Sequence, residues 1–416
     1  MTPKPDQDEA FGAAPHERPV PRISIGAFVE FPDTGTALQR AASDRRLAKA
    51  HVTVQLGGIQ AAVDHYHGQV TPNLLIVETR LNGQAALEEL DRLAEVCDPT
   101  TKVIVVGRVN DVELYRELMR RGASEYLVAP LNPLHLIEVI SGLYLDPDAA
   151  PIGRIVTFVG ARGGVGSSTL SHNVAWCVAE ELRINTTVVD LDLPFGTAGL
   201  DFNDEPSQGV ADALSAPERL DDVLLDRLLV KRGEHLSIFA TSALIDREYD
   251  SPSDAFESVL DAVRQSTPCV IVDLPHLWTP WIKATLIGSD DIVIVATPDL
   301  AALRNAKNMF ELLRTGRPND TPPRLVINQV GVAKRPEIPA KDFAETIGVD
   351  PALVLNFDPA LFGQAANNGQ MINEVAPKSA TAQGIRTLAE VVTGRVPQPI
   401  QKVSPFLSFL TGKKRA

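Results

Sequence analysis

Residues 159–169 are Val-Gly-Ala-Arg-Gly-Gly-Val-Gly-Ser-Ser-Thr, a glycine-rich stretch with an apolar run before it and a helix-forming run behind it. The apolar run, residues 155–159, predicts a buried strand, and residues 169–182 predict a helix. Glycines allow backbone N–H groups to converge on phosphate oxygens, and the N-terminus of the helix adds partial positive charge. The stretch therefore predicts a strand, a loop and a helix that hold the phosphates of a nucleotide.

The loop departs from the usual phosphate-binding pattern, which is Gly, four residues, then Gly-Lys-Ser/Thr. Ala161 stands where the first Gly is expected, Ser167 replaces the Lys, and Ser168 keeps the hydroxyl that reaches Mg²⁺. Phosphoryl transfer depends mainly on positioning and on electrostatic stabilisation of the transferred group. Because the lysine charge is missing, we expect ATP to be bound but hydrolysed slowly or not at all.

Polar residues follow three further predicted strands. Asp190 and Asp192 end one strand, Asp273 ends a second and Asn328 ends a third. In open α/β sheets ligands bind beyond the carboxyl ends of the strands, so these side chains are candidates for the phosphates, Mg²⁺ and adenine. Each has a plainer interpretation, because Asp often caps a helix and Asn often forms a turn. Their order and spacing behind the glycine loop favour the nucleotide site.

Composition and charge limit the class of protein. The chain has 416 residues, a formal net charge of −14 and 44% hydrophobic residues, which predicts two or three domains. The acidic balance disfavours a broad nucleic-acid footprint. Cys97, Cys177 and Cys269 lack metal-ligand spacing and predict reduced core thiols. Since neither a signal peptide nor a long apolar span is recognisable, we expect a cytoplasmic protein.

Pattern changes divide the chain into five segments. We expect a disordered leader at 1–21, an α/β domain at 22–145, a linker at 146–152, a doubly wound α/β domain at 153–394 and a tail at 395–416. The strands predicted in the first domain are residues 23–29, 52–56, 74–78, 103–106 and 125–128. Those predicted in the second are residues 155–159, 187–190, 236–240, 269–273, 292–296 and 324–328.

Residues 162–169 resemble the deviant phosphate loop of the ParA/MinD ATPase superfamily, whose pattern is Lys-Gly-Gly-x-Gly-Lys-Thr/Ser. Asp190-x-Asp192 resembles the switch I motif of that superfamily, and Asp273-Leu274-Pro275 resembles its Walker B and switch II segment. The resemblance implies Asp192 as the catalytic residue, and Ser168 and Asp273 as magnesium ligands. The nucleotide-binding residues that it implies are Arg162, Gly163, Gly164, Val165, Gly166, Ser167, Ser168, Thr169 and Asn328.

Three further stretches, residues 297–306, 358–362 and 376–379, are similar to the TadZ/CpaE family of pilus assembly proteins, which carry a receiver-like domain before the ATPase domain. This resemblance implies ATP and Mg²⁺ as cofactors. It also implies a homodimer through the nucleotide face, with Arg162 at the position of the lysine that reaches the partner. The resemblance further implies that this dimer marks a cell pole, peripheral to the inner membrane, and recruits components of the Tad (Flp) pilus secretion system. Two alternatives stay open: an active ParA/MinD-like ATPase that positions cargo or the division site on DNA or membrane, and a scaffold that binds no nucleotide.

The first domain resembles a response-regulator receiver of the flavodoxin-like fold, but its reactive residues are replaced. Glu78 stands at the phosphorylated Asp, Gly107 at the hydroxyl residue and Ala129 at the Lys before Pro130. Without the acidic pocket, neither a metal ion nor an acyl-phosphate is expected there. We therefore predict a pseudo-receiver, which either docks a partner or only braces the second domain.

The tail carries an apolar stripe before a basic end. Val403, Phe406, Leu407 and Leu410 share one helical face, and residues 413–415 are Lys-Lys-Arg. This pattern is compatible with weak contact to a membrane surface or with a tail that packs on itself or stays disordered.

Overall fold

A computed structural model describes residues 20–144, 152–204, 208–241 and 251–395. Within these residues the strands form two separate sheets, one of five strands and one of eight. Helices flank both sheets, so the predicted α/β fold class is confirmed. Residues 1–19 of the predicted leader, residues 146–151 of the linker and residues 396–416 of the tail lie outside the described residues.

The first sheet has the strand order β2-β1-β3-β4-β5, and all of its strands are parallel. This order is the flavodoxin-like one, as the receiver resemblance implies. Its strands are β1 (Ser24–Val29), β2 (His51–Leu56), β3 (Leu74–Glu78), β4 (Lys102–Gly107) and β5 (Glu125–Val128). Its helices are α1 (Pro32–Ala42), α2 (Gly58–Tyr66), α3 (Gln84–Ala94), α4 (Val112–Arg120) and α5 (Pro133–Tyr144).

The second sheet has the order β13-β12-β11-β6-β10-β7-β9-β8 and is parallel except for the pair β8 and β9. Its strands are β6 (Arg154–Gly160), β7 (Thr186–Asp190), β8 (Val230–Arg232), β9 (Leu236–Phe239), β10 (Cys269–Leu274), β11 (Asp291–Ala296), β12 (Arg324–Val330) and β13 (Pro351–Asn356). Every residue of β10 and β11 is buried, as expected for central parallel strands covered on both faces.

Each strand predicted from the sequence coincides with an observed strand to within two residues at either end. The prediction missed β8 and β13. No residue of β8 is buried, and in β13 only Leu355 is buried. β8 is three residues long and has no apolar run, so no sequence pattern predicts it. β13 does carry a short apolar run, residues 352–355, which the prediction overlooked.

The helices of the second unit cover both faces of its sheet. They are α6 (Ser167–Trp176), α7 (Ala198–Asp201), α8 (Val210–Ser215), α9 (Asp222–Leu228), α10 (Ser253–Ser266), α11 (Pro280–Gly288), α12 (Leu300–Gly316), α13 (Ala340–Ile347), α14 (Pro359–Asn368), α15 (Ile372–Val375) and α16 (Ala380–Val392). A π-helical turn, Cys177–Glu181, continues α6 over the length that the sequence predicts. One core contains Val259 of α10 and Phe310 of α12, and the opposite core contains Val174 of α6 and Leu388 of α16.

All three cysteines are free thiols, as predicted, and Cys177 and Cys269 are buried. Among the described residues no helix combines the length and the apolar character that a membrane span requires.

A buried ionic cluster joins the two units. It begins at a 3₁₀ turn, Arg45–Leu47, between α1 and β2. Arg45 Nε donates to Asp320 Oδ2 at 2.7 Å, and Arg45 Nη1 lies 3.3 Å from Asp290 Oδ1. Asp290 also accepts from Arg264 at 3.1 Å, and Arg317 Nε donates to Asp320 at 3.0 Å. Although burial acts to raise it, the pKa of Asp320 is lowered by the charges of Arg45 and Arg317.

We predict that Arg45→Ala lowers the free energy of unfolding by about 3 kcal/mol, because Asp290 and Asp320 stay buried with fewer cationic partners. Lys49→Ala is the matched control, since Lys49 also spans the two units, to Glu257 and Asp261, but at a half-buried site that is more accessible to solvent than the cluster of Arg45. Its loss should cost less than about 1 kcal/mol. Denaturant unfolding measures both values, and equal losses would contradict the structural role of the cluster.

Candidate functional site

The glycine loop emerges at the carboxyl end of β6, between the neighbouring strands β10 and β11. Side chains from elsewhere in the domain bind its carbonyl groups. Asn305 Nδ2 donates to Ala161 O at 2.9 Å, Asn328 Nδ2 to Val165 O at 2.8 Å and Gln329 Nε2 to Gly164 O at 2.9 Å. These three contacts brace the loop on side chains of α12 and β12, and phosphate binding would use the N–H groups of the loop.

The conformation of the loop requires glycine at its last position. Gly166 has a φ of +86°, and a Cβ built on it would lie 2.7 Å from Asn328 Nδ2. Asn328 Oδ1 accepts from the N–H of Gln329 at 2.8 Å, so both polar atoms of Asn328 brace the loop. The sequence assigned Asn328 only to the base. Its contact with adenine stays a prediction, and the structure adds a bracing role that the sequence analysis missed.

A cleft of about 140 Å³ adjoins Gly166 and Thr169. Asn328 and Gln329 line one part of it, and residues 356–359 with Phe362 line the rest. Its position beside the first turn of α6 is suitable for the base of a nucleotide whose phosphates occupy the loop. Residues 356 and 357 and Gln329 were not predicted, because a cleft wall built from a strand end has no sequence motif.

Ser167, which replaces the usual lysine, begins α6 and is 9% exposed. Its buried hydroxyl has no hydrogen-bond partner among the described residues, and the same is true of Oδ1 of Asp273. Buried polar atoms are normally satisfied, so two unsatisfied atoms beside the glycine loop fit a polar ligand such as a phosphate with its cation. Both residues were predicted at this site, and the structure brings them to the same edge of the sheet.

Arg162 leaves the loop toward the segment that follows β11. Its Nε donates to Thr297 Oγ1 at 3.4 Å and lies 3.5 Å from Asp299 Oδ2. Asp299 caps α12 by accepting from Ala302 N at 3.0 Å. Although burial opposes the shift, the Thr297 hydroxyl and the amides of α12 lower the pKa of Asp299. The Arg162 side chain is 45% exposed, so it can reach a second molecule.

Two buried carboxylates lie side by side below the loop. Asp273 of β10 is the register partner of Asp190 of β7, and both are almost completely buried. Burial raises the pKa of Asp273 to about 7, the charge of Asp190 adds to this effect, and His172 and the Ser168 hydroxyl oppose it. Burial also raises the pKa of Asp190. A cation would relieve this repulsion, so the pair fits a metal site together with Ser168.

Asp192, the predicted catalytic residue, lies at the more exposed side of this cluster. Its carboxylate accepts from Phe195 N at 3.3 Å, and partial burial raises its pKa. Its backbone N–H donates to Asp190 at 3.0 Å, which ties the two motif residues together. Its part in hydrolysis stays a prediction.

His172 is a buried member of the site that no motif in the sequence indicates. It lies four residues after Ser168, hence on the same face of α6. His172 Nδ1 is 2.7 Å from Asp201 Oδ2, and Nε2 is 3.8 Å from Asp273 Oδ2. Burial opposes protonation, but the bond to Asp201 and the charges of Asp273 and Asp190 prevail and raise the pKa of His172.

The receiver-like site of the first domain is occupied by its own side chain. Glu78, fully buried, accepts from Glu30 N at 2.8 Å, Phe31 N at 3.0 Å and Thr34 Oγ1 at 2.8 Å. A side chain at position 107 would overlap the Tyr126 ring, because a Cβ built on Gly107 would lie 2.8 Å from two carbon atoms of that ring. The glutamate therefore anchors the start of α1.

We predict that Gly166→Ala lowers the free energy of unfolding by about 1–3 kcal/mol, because alanine is strained at positive φ and its methyl group meets Asn328. Gly163→Ala is the matched control within the same loop, since a Cβ there has open space around it. It should change stability by less than about 0.5 kcal/mol. Thermal and denaturant unfolding compare the two variants, and equal effects would remove the packing argument.

We also predict that the metal-free protein is less stable at pH 8.5 than at pH 6. The folded state binds a proton at Asp273 more tightly than the unfolded state does, because its folded pKa is raised to about 7. Stability therefore falls as pH rises from the unfolded pKa through the folded one. Asp273→Asn should reduce the difference by more than about 1 kcal/mol, whereas the surface variant Asp226→Asn should not change it. Unfolding in a chelating buffer measures this, and an unchanged slope in D273N would contradict it.

Similar proteins were found by sequence and by structure, although no protein-family model matches the chain. The crystal structure of the pilus assembly protein CpaE from Caulobacter crescentus CB15 is 53% identical and covers 31% of this chain and 98% of its own, with a TM-score of 0.30. The ParA family ATPase from Chlorobium tepidum TLS is 25% identical and covers 57% of this chain and 98% of its own, with a TM-score of 0.52.

Two MinD proteins are more distant. MinD of Bacillus subtilis is 22% identical over 250 residues, which are 58% of this chain and 90% of the relative. The structure of MinD from Pyrococcus horikoshii OT3, complexed with Mg-ADP, is 20% identical and covers 58% of this chain and 96% of its own, with a TM-score of 0.50. These two support the fold of the second unit. The sequence identity to CpaE, rather than any TM-score, decides the family. The chain belongs to the CpaE family of pilus assembly proteins, with a nucleotide-binding fold of the ParA/MinD type.

Proposed function

We propose that this protein is an ATP-binding assembly factor of a Tad (Flp) pilus secretion system. It binds ATP with Mg²⁺, dimerises through the nucleotide face, marks a cell pole and recruits other components of the secretion system. The observation that carries the proposal is the braced glycine loop with two unsatisfied polar atoms, on Ser167 and Asp273, beside it. The relatives support it, since one is a pilus assembly protein and another is a MinD complexed with Mg-ADP.

Different residues around the loop bind the phosphates, the Mg²⁺ and the base. The N–H groups of residues 163–169 bind the phosphates, and Ser168 with Asp273 hold the Mg²⁺. Asn328 and the neighbouring cleft accept the base. Bound Mg²⁺ would neutralise phosphate charge, while the protein positions the triphosphate and excludes water from it.

Hydrolysis is weak or absent because Ser167 supplies no positive charge to the β- and γ-phosphates. Its hydroxyl is also buried at the start of α6 and cannot reach as far as a lysine ammonium. Removing one stabilising donor from such a site costs about 10²–10³ in rate. ATP then acts as a ligand that stabilises a dimer rather than as a substrate that is hydrolysed.

The dimer depends on Arg162. Its exposed guanidinium is held by Thr297 and Asp299 in the single chain, at the edge of the nucleotide site. An arginine retains the charge of the lysine that it replaces, and its planar donors bind phosphate in a bidentate manner. In a dimer it would contact the nucleotide of the partner.

Ser167→Lys and Ser167→Ala test the nucleotide site. Calorimetry should detect MgATP binding to the wild type. In a separate hydrolysis assay, S167A should leave the turnover unchanged and S167K should raise it about 100-fold. An absence of binding at millimolar ATP would refute the proposal. A wild-type turnover typical of partitioning ATPases would favour the active ATPase that positions cargo or the division site.

Arg162→Ala tests the dimer. Light scattering should detect an ATP-dependent dimer of the wild type and a monomer of R162A that still binds ATP. Arg304→Ala, an exposed arginine on the adjacent helix α12, is the matched control and should dimerise normally. In cells, a fluorescent fusion of the wild type should form a polar focus that R162A loses, and a polar focus of R162A would separate localisation from the dimer.

A further inference from the structure

A fully buried imidazole accompanies the carboxylates of the candidate magnesium site. His172 Nε2 has no hydrogen-bond partner among the described residues, and it lies 3.8 Å from Asp273 Oδ2. The other ring nitrogen, Nδ1, is 2.7 Å from Asp201 Oδ2. None of the functions proposed above uses this histidine.

The bond to Asp201 orients the imidazole as a ligand. A carboxylate accepts a hydrogen bond, so it keeps the proton on Nδ1 and leaves the lone pair on Nε2 when the ring is neutral. The same arrangement, carboxylate to histidine to metal, orients histidines in many metal sites and raises their basicity. Asp201 is only partly buried, and the Thr197 hydroxyl donates to it at 3.2 Å.

The distances are close to those of a metal site. His172, Asp190 and Asp273 each offer one ligand atom, and these atoms lie within 4.8 Å of one another. Ligand atoms on opposite sides of a transition-metal ion are about 4.2 Å apart, so small side-chain rotations suffice. The oxygens of Asp190 accept from Asp192 N and Ala198 N, at 3.0 and 3.1 Å, and each retains a second lone pair for a cation.

A second observation points to a ligand between these groups. Asp273 Oδ1 and His172 Nε2 are buried polar atoms without partners, on side chains that face each other. A buried atom of this kind costs about 1–3 kcal/mol when it stays unsatisfied. A single cation would satisfy both atoms and would also separate the negative charges of Asp190 and Asp273.

We propose that His172, Asp190 and Asp273 bind a divalent first-row transition-metal ion, with Mn²⁺ as the probe, more tightly than Mg²⁺. The reason is the imidazole nitrogen, which transition metals accept readily, whereas Mg²⁺ strongly prefers oxygen ligands. The inference deepens the proposed function by naming the cation class of the same site. Only the link to nucleotide rests on that function, because the metal is held by the protein side chains themselves.

The test is Mn²⁺ binding to the full-length protein without nucleotide, after chelator treatment, measured by electron paramagnetic resonance. The wild type should bind one Mn²⁺ tightly and require at least about 100-fold more Mg²⁺ to displace it. In His172→Asn the amide can still donate to Asp201 but has no counterpart of Nε2. Its affinity for Mn²⁺ should fall about 10–100-fold, and its affinity for Mg²⁺ by less than about threefold.

Two further variants separate ligation from folding. Asp201→Asn removes the group that orients the ring and should weaken Mn²⁺ about tenfold, whereas the exposed variant His135→Asn should bind as the wild type does. Pulsed electron paramagnetic resonance of the wild-type Mn²⁺ complex should detect coupling to an imidazole nitrogen. This measurement does not depend on the folding of any variant.

Equal Mn²⁺ affinity of the wild type and a folded H172N, or a wild-type complex without nitrogen coupling, would overturn the inference. Displacement of Mn²⁺ by an equal concentration of Mg²⁺ would do the same. Tight Mn²⁺ binding without any ATP binding would support the metal site while refuting the proposed function. ATP binding with Mg²⁺ by a protein that does not bind Mn²⁺ tightly would refute the metal site and leave the proposed function intact.

Discussion

The pairing of β10 with β6 on one side and β7 on the other determines where the polar groups of the site lie. Asp273 is in register with Phe158 of β6 and with Asp190 of β7. Because the three strands are parallel, the glycine loop after β6 and the acidic ends of β7 and β10 meet at one edge of the sheet. A shift of one residue in this register would turn Asp273 to the other face of the sheet and separate it from the other residues of the site.

The consequence of this pairing is electrostatic. Two carboxylates, on Asp190 and Asp273, are removed from water at adjacent positions, and the lysine that usually supplies positive charge to such a loop is replaced by Ser167. His172 lies behind this pair, with its Nε2 3.8 Å from Asp273 Oδ2. The loop therefore lacks the lysine charge beside its N–H groups, and the imidazole that faces the acidic pair is buried behind it.

The first domain is built on a similar substitution with a different result. Lengthening the expected aspartate to Glu78 lets its carboxylate reach the amide groups at the start of α1, so the group that would be modified becomes a structural anchor. The ionic cluster around Arg45 then ties this domain to Asp290 and Asp320 of the second. These contacts are compatible with both roles predicted for the first domain, docking a partner or bracing the second unit.

The sequence alone determined the α/β class, nearly all the central strands and the position of the glycine loop, because apolar runs and glycine clusters are local signals. It also indicated Asp190, Asp273 and Asn328, since strand ends in a parallel sheet share one edge. It could not indicate the edge strand β8, which is only three residues long, and β13 was missed although it carries a short apolar run. Only the tertiary structure placed Asn328 under Gly166, His172 beside Asp273 and Arg45 between two aspartates of the other unit. These contacts join residues that are distant in sequence or lack a motif, so their energies arise from packing and burial that no local pattern records.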